Sequence, residues 1–234
     1  MQRLLLRLKN FLYLLKYMQW KEILHKIRCR IHSDTVYYGL VIELPNAYFP
    51  VSSAIPVQLR PLRDADIAVL FNVNTPHLSD IGIAERLYRL LLINSEIRSC
   101  YVAVTQEGNP CSALWLIPAT ENKKIRNHSN GAFPLLATDE MLLEGLFTLE
   151  TYRNRHIMAC CVAQILEKAK ETGAKKVLSF VHNENIQSLR LLKRVGFTEY
   201  TIKREKWFFF SRTITFEPMP GCDIPAEILN PLVL

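Results

Sequence analysis

The most coherent hydrophobic pattern in the chain runs from Met141 to Phe197. Met141 to Leu149 (MLLEGLFTL) is an apolar run of strand length, and Thr151 to Met158 (TYRNRHIM) breaks it with polar and basic residues. Ile157, Cys161, Ile165 and Ala169 then recur at i, i+4 spacing, which predicts a helix stopped by Thr172 and Gly173. Val177 to Val181 (VLSFV) resumes as a buried strand, and the stretch to Phe197 predicts a second helix. Two strands joined by a helix in this order lie parallel with a right-handed crossover. The first four amides of that helix are left pointing out near the strand ends, where they favour anions.

The flanking pattern predicts the rest of a sheet. Val36 to Glu43 reads as a short edge strand, followed by a linker to Pro56, and Val57 to Pro61 opens the main domain. Asp64 is the expected cap of a helix running through Phe71, and Ser79 and Asp80 cap another that carries Leu87, Leu90 and Leu91 on one face. Glu85 and Arg89, at i, i+4 on that helix, read as a solvated ion pair. Tyr101 to Val104 and Ser112 to Ile117 flank the turn Glu107 to Pro110 as a hairpin, and Tyr200 to Phe210 with Arg212 to Phe216 form a second one at the sheet edge. Pro118 to Asp139 lacks periodicity and reads as a long loop that contacts a substrate or forms a surface insertion.

Charge changes the picture at the N-terminus. The 234 residues carry 29 Lys and Arg against 22 Asp and Glu, yet residues 1–32 hold eight of the bases and a single acid, Glu22. The net +7 therefore resides in that extension, and the other residues balance. Trp20, Ile23, Leu24, Ile27 and Ile31 form one helical stripe there, and Leu5, Leu8, Leu12 and Leu15 another of different phase. Such a basic amphipathic extension docks on the main domain or a second subunit, or lies on an anionic membrane surface. Nucleic acid is not the expected partner, because no reader motif or basic stripe continues into the rest of the chain. The uncharged apolar stretch Phe11 to Leu15 is too short for a signal core or a membrane span. Six cysteines without C-x-x-C spacing suggest neither zinc nor a disulfide framework, and the expected compartment is the reducing cytoplasm, with the inner membrane surface as the alternative.

The turn at Thr151 to Met158 matches neither G-x-x-x-x-G-K-[ST] nor G-x-G-x-x-G. It does resemble the pyrophosphate turn of the acyl-CoA N-acyltransferase (GNAT) superfamily, usually Arg/Gln-x-x-Gly-x-Gly/Ala, through Arg153, Asn154, Arg155, His156, Ile157 and Met158. The next helix of that family carries N-x-x-[SA] and ends at G-F, matched here by Asn185, Ser188, Gly196 and Phe197. The order of elements over residues 57–217 agrees. The resemblance implies a mixed α/β fold with a central, mostly antiparallel twisted sheet and one parallel, splayed strand pair. The N-terminal helical extension 1–32, the strand and linker 33–56 and the C-terminal arm 218–234 lie outside that core.

The resemblance further implies transfer of an acetyl or short acyl group from acetyl-CoA or another acyl-CoA to a primary amine, without a metal. Amides of Asn154 to Met158 would hold the pyrophosphate, with Arg153 and Arg155 adding charge. Phe147 and Thr148 would pair with the pantetheine arm as with an added strand, and Asn185 and Ser188 would line the cleft. Glu144 is the one carboxylate in an otherwise apolar strand, with alternation placing Leu142, Leu146 and Thr148 on its face. It is either the general base that GNAT enzymes place on this strand or a structural hydrogen-bonder. Leu192 stands where many of these enzymes have a proton-donating Tyr, leaving Tyr101, Tyr152 or solvent for that role. Cys160 and Cys161 read as packing residues. Asn154 and His156 replace glycines; Asn tolerates a left-handed conformation and His does so less readily. Together with Leu192, they keep open a non-catalytic CoA-binding or interaction module.

Overall fold

The computed structural model describes residues 20–44 and 51–219. The stripe of Leu5, Leu8, Leu12 and Leu15 and most of the C-terminal arm lie outside the described residues. In chain order the elements are α1 (Trp20–Ile31), β1 (His32–Glu43), β2 (Val57–Pro61), α2 (Asp64–Leu70), α3 (Asp80–Asn94), β3 (Cys100–Thr105), β4 (Pro110–Pro118), α4 (Asn122–Ser129) and β5 (Glu140–Thr148). There follow α5 (Ile157–Glu171), β6 (Lys176–His182), α6 (Ile186–Val195), β7 (Thr198–Phe208) and β8 (Ser211–Pro218).

One sheet of eight strands runs in the order β2-β3-β4-β5-β6-β1-β7-β8. Every neighbouring pair is antiparallel except β5 and β6, which pair in parallel over Glu140↔Lys176 to Leu142↔Leu178 and then part. Apolar residues of α5 and α6 pack on one face of the sheet with Leu40, Leu114, Leu116 and Leu143. Leu70, Leu92 and Ile125, from α2, α3 and α4, cover the other with Trp115, Ile117, Leu142 and Phe147. The alternation of β4 explains the division: Leu114 and Leu116 serve one core, Ala113, Trp115 and Ile117 the other.

Four expectations need correction. β1 is not an edge strand: it lies between β6 and β7 and pairs along both. Its Leu40-Val41-Ile42 run is continuous rather than alternating because both faces are covered, and Gly39 is required where a Cβ would meet Thr201 Cγ2 at 2.3 Å. The helix cap before α2 is Arg63, not Asp64, and the Asp66 carboxylate accepts from the Arg63 amide at 2.8 Å. Residues 118–139 are not structureless: a short 3₁₀ turn leads into α4, which buries Ile125. The Glu85–Arg89 ion pair does not form. Glu85 instead meets Arg153 at 2.8 Å, and Arg89 reaches across to the backbone of β5.

Candidate active site

The site grows from an irregularity in β5. Ala113 pairs with Phe147 but Trp115 with Glu144, so β5 carries one extra residue at this point. Gly145 takes it up at φ 65°, where a Cβ would lie 2.6 Å from Trp115 Cε3. The bulge inverts the alternation beyond it. Glu144 and Leu142 face the α3 side, whereas Leu146 packs with the α5 core and Thr148 Oγ1 meets Ser112 Oγ at 3.0 Å on that same side. Leu146 and Thr148 are therefore not on the face of Glu144, contrary to the simple period-two reading.

Beyond Leu142 the parting of β5 from β6 opens a cleft. A cavity of about 130 Å³ at its floor is lined by residues that include Glu144, Gly145, Ser179, Phe180, His182 and Leu192. A larger one of about 640 Å³ adjoins it beneath the N-termini of α5 and α6, and both share Arg89, Leu146, Asn185 and Ser188. Glu144 Oε1 accepts hydrogen bonds from Tyr88 Oη at 3.1 Å and from the Gly145 amide at 3.0 Å. Burial raises its pKa above the usual carboxylate value, while these two donors, with Arg89 and Lys203 nearby, oppose the rise. A half-buried carboxylate lining a cavity, held by two donors on one oxygen, suits proton abstraction.

Of the residues singled out from sequence, Phe147, Thr148, Arg153, Asn154, His156, Met158, Asn185 and Ser188 line the larger cavity. Asn154 and His156 both have positive φ, 62° and 57°, so the glycine-poor turn takes the conformation that glycine adopts without strain. Asn185 caps α6, its Oδ1 accepting from the Ser188 amide at 3.1 Å. Two residues lie elsewhere. The Ile157 side chain is in the core, and Arg155 is exposed outside both cavities, its carbonyl accepting from the Ala54 amide at 3.0 Å. The Phe147 carbonyl is turned to β4, where it accepts from Ser112 Oγ at 2.7 Å, and its ring packs against Phe71 in the core. Tyr152 is brought to the larger cavity and Tyr101 to neither. Cys161 is buried on α5, and burial pushes its thiol pKa up, in keeping with packing.

Sequence reasoning places Arg153 at the turn but misses Arg86, Arg89, Arg190 and Arg194 as site residues. Arg89 donates through Nε to the Gly145 carbonyl at 3.3 Å and through Nη2 to the Leu146 carbonyl at 2.5 Å, standing between the two cavities. Arg153 Nε likewise donates to the Thr148 carbonyl at 3.1 Å. Buried Arg86 makes a two-pronged pair with Glu150 at 3.0 and 2.7 Å, and this holds the Glu150 carboxyl down at about 2. Arg190 and Arg194 also line the larger cavity, with Glu85 its one carboxylate among the described residues. Their signal was legible: Gln187, Arg190 and Arg194 fall at i, i+3, i+7 on α6, opposite buried Leu189, Leu192 and Val195. Arg89, Arg153, Arg190 and Arg194 around a helix N-terminus and a turn of left-handed residues fit a polyanion.

This fold and cleft define a mixed α/β protein with a parallel splayed strand pair beside an anion-favouring turn. The family model described as "Acetyltransferase (GNAT) family" matches residues 70–197, more than half of the sequence, and the chain belongs to that family of acyl-CoA-dependent acyltransferases. No curated protein matches the sequence significantly. Among solved structures, a Drosophila protein is similar at TM-score 0.51 and 16% identity, over 82% of this chain and 57% of its own. The GCN5-related glucosamine N-acetyltransferase region of a fungal multi-domain GH3 β-N-acetylglucosaminidase is similar at TM-score 0.51 and 15% identity, over 80% of this chain and 22% of that one. This chain therefore spans less than two thirds of either, and at such identity the likeness is one of fold.

Proposed function

We propose that the protein transfers an acetyl or short acyl group from an acyl-CoA to a primary amine, with Glu144 as general base. The observation that carries this reading is the placement of Glu144 in a small cavity that shares Arg89, Leu146, Asn185 and Ser188 with an arginine-lined one of about 640 Å³. The residues present fit CoA. Amides at the start of α5, shaped by the left-handed Asn154 and His156, face a phosphate-sized turn, and Arg153, Arg190 and Arg194 supply positive charge. Asn185 and Ser188 border the route from one cavity to the other. When bound, the donor supplies an activated thioester.

The chain's own part is to orient and to move a proton. Tyr88 and the Gly145 amide fix the carboxylate of Glu144, which takes a proton from the incoming ammonium and leaves a nucleophilic amine. The raised pKa brings the base closer to that of its substrate and so eases the transfer. Tyr152 is the candidate tyrosine that reaches the cavity, and a thiolate near the ordinary thiol pKa of about 8.5 also leaves unaided. The small volume beside Glu144, about 130 Å³, suits a short acyl group.

A second reading, a CoA-binding module without turnover, draws on one observation. Arg89 and Arg153 already occupy the carbonyls of Gly145, Leu146 and Thr148, the edge to which a pantetheine arm would pair. Thiol release from acetyl-CoA, measured against a panel of amines with CoA binding checked separately by calorimetry, decides between them. Amine-dependent release supports the enzyme. Binding without release for any amine supports the module.

A further inference from the structure

The turn between β7 and β8 consists of Phe209 and Phe210, closed by the pair Phe208↔Ser211. Both turn residues have positive φ, 44° and 64°. A two-residue hairpin turn with both residues left-handed accommodates Asn-Gly or Asp-Gly without strain, whereas a bulky side chain at each position is disfavoured by its own Cβ. Packing within the chain does not compensate: Phe208, Phe209 and Phe210 are 64%, 70% and 59% exposed. The Phe208 and Phe209 rings meet edge to face at 4.8 Å and otherwise point outward. Strain retained at an exposed tip points to use of the rings outside the fold.

The tip is joined to the basic N-terminal helix. The Phe209 and Phe210 amides donate to the Ile31 and Arg30 carbonyls at 2.9 and 2.8 Å, closing the C-terminal end of α1. On α1, Leu24, Ile27 and Ile31 stand at i, i+3, i+7 and are 62%, 42% and 41% exposed. Exposed Arg28 and Arg30 accompany this stripe, Arg30 lying over the Trp207 ring at 5.6 Å. The nearby carboxylates already face bases: Asp34 meets Arg204 and Lys206, and Glu205 meets Arg212.

We propose that the Phe208 to Phe210 tip and the apolar stripe of α1 together dock on the surface of an anionic phospholipid bilayer. Charge decides for lipid over a second copy of the chain. The helix α1 by itself carries Lys21, Lys26, Arg28 and Arg30 against the single acid Glu22, so a twofold contact through it would bring like charges together, whereas anionic headgroups complement them. The shape agrees, because a protruding two-residue tip offers a protein partner little area but seats its rings at the headgroup boundary. Among the described residues no helix is long and apolar enough to cross a membrane, so the contact is peripheral. This inference is independent of the acyl-transfer reading.

The test is co-sedimentation of the full chain with vesicles of phosphatidylcholine alone and of phosphatidylcholine with an equal part of phosphatidylglycerol. Binding is expected to the second at low salt, and to weaken steeply as salt rises. The double variant Phe209→Asn, Phe210→Gly installs the strain-free turn, so it should fold and melt no lower than the parent. It should nevertheless bind the anionic vesicles about tenfold or more weakly, the loss expected when two rings no longer leave water. Arg28→Glu with Arg30→Glu takes four units off the net +7 of residues 1–32 and should weaken the preference for phosphatidylglycerol about tenfold or more. Failure of the parent to sediment with anionic vesicles at low salt overturns the proposal. So does equal binding by the Asn-Gly variant, or a dimer in sedimentation velocity that this variant dissociates without any effect on vesicles.

Discussion

Replacing Gly145 by alanine probes the bulge that aims Glu144. The added methyl would stand 2.6 Å from Trp115 Cε3 and 3.1 Å from Leu92 Cδ1, in a core where both residues are fully buried. The backbone there is at φ 65°, a left-handed conformation that costs a non-glycine residue about 1–2 kcal/mol. Forcing a methyl into a packed core adds about 1–3 kcal/mol. Alanine recovers somewhat less than about 1 kcal/mol by restricting the unfolded chain. The net destabilisation is therefore about 1–4 kcal/mol, or a fall in melting temperature of about 2–16 °C for a chain of this size. Urea denaturation followed by tryptophan fluorescence reads it directly, since Trp115 is the neighbour displaced. The backbone shift also moves the carboxylate away from Tyr88, so acyl transfer should fall further than any loss of folded protein explains. A variant within about 0.5 kcal/mol of wild type would show that the bulge relaxes freely and that its geometry does not set the site.

Glu144→Gln should slow acyl transfer by about 10² or more at neutral pH, with little change in CoA affinity. Since burial raises the Glu144 pKa, the wild-type rate should climb with pH as this carboxyl ionises, and the gap to the variant should narrow at high pH, where free amine accumulates; a variant matching wild type at every pH excludes this base. Glu150→Gln should cost about 1–2 kcal/mol at neutral pH in chemical denaturation, after allowance for a carboxylate that is 43% exposed. Because Arg86 depresses the Glu150 pKa from 4.5 to about 2, its stabilisation is complete above the unfolded value and lost as pH falls through the folded one, so variant and wild type should converge across that interval. His156→Gly removes a left-handed histidine at the phosphate turn and should change CoA affinity less than about tenfold, with helix amides and arginines supplying most of the binding; calorimetry that finds binding only in the variant would show the ring filling the anion site.

The β-α-β core was legible because its signals are local. MLLEGLFTL and VLSFV have strand length, the intervening helix repeats every four residues, and the N-x-x-S and G-F pairs fix the ends of α6. What sequence reading lost is what depends on partners far along the chain. Arg89 and Glu85 have the spacing of a surface ion pair, but the carbonyls that Arg89 bonds lie 56 and 57 residues away. The bulge at Gly145 can be counted only against β4, so the faces of Leu146 and Thr148 were inverted. α4 buries only Ile125 and therefore shows no period; the Asn122 side chain, bonded both ways to the Leu136 backbone, ties its start to the following loop. A single strand does not reveal how many neighbours it has, so β1 reads from sequence as an edge strand, although its unbroken Leu-Val-Ile run carries the hint of two covered faces.

The central claim is that the cleft between β5 and β6 holds an acyl-CoA with its thiol beside Glu144. A crystal structure of the full chain with CoA tests it most directly. The expected result places the pyrophosphate at the amides of residues 154–158, the pantetheine arm past Asn185 and Ser188 with Arg89 displaced from the Gly145 and Leu146 carbonyls, and the sulfur in the small cavity lined by Glu144. CoA bound elsewhere on the protein, or bound at the turn with Arg89 still in place and the sulfur outside that cavity, would contradict it.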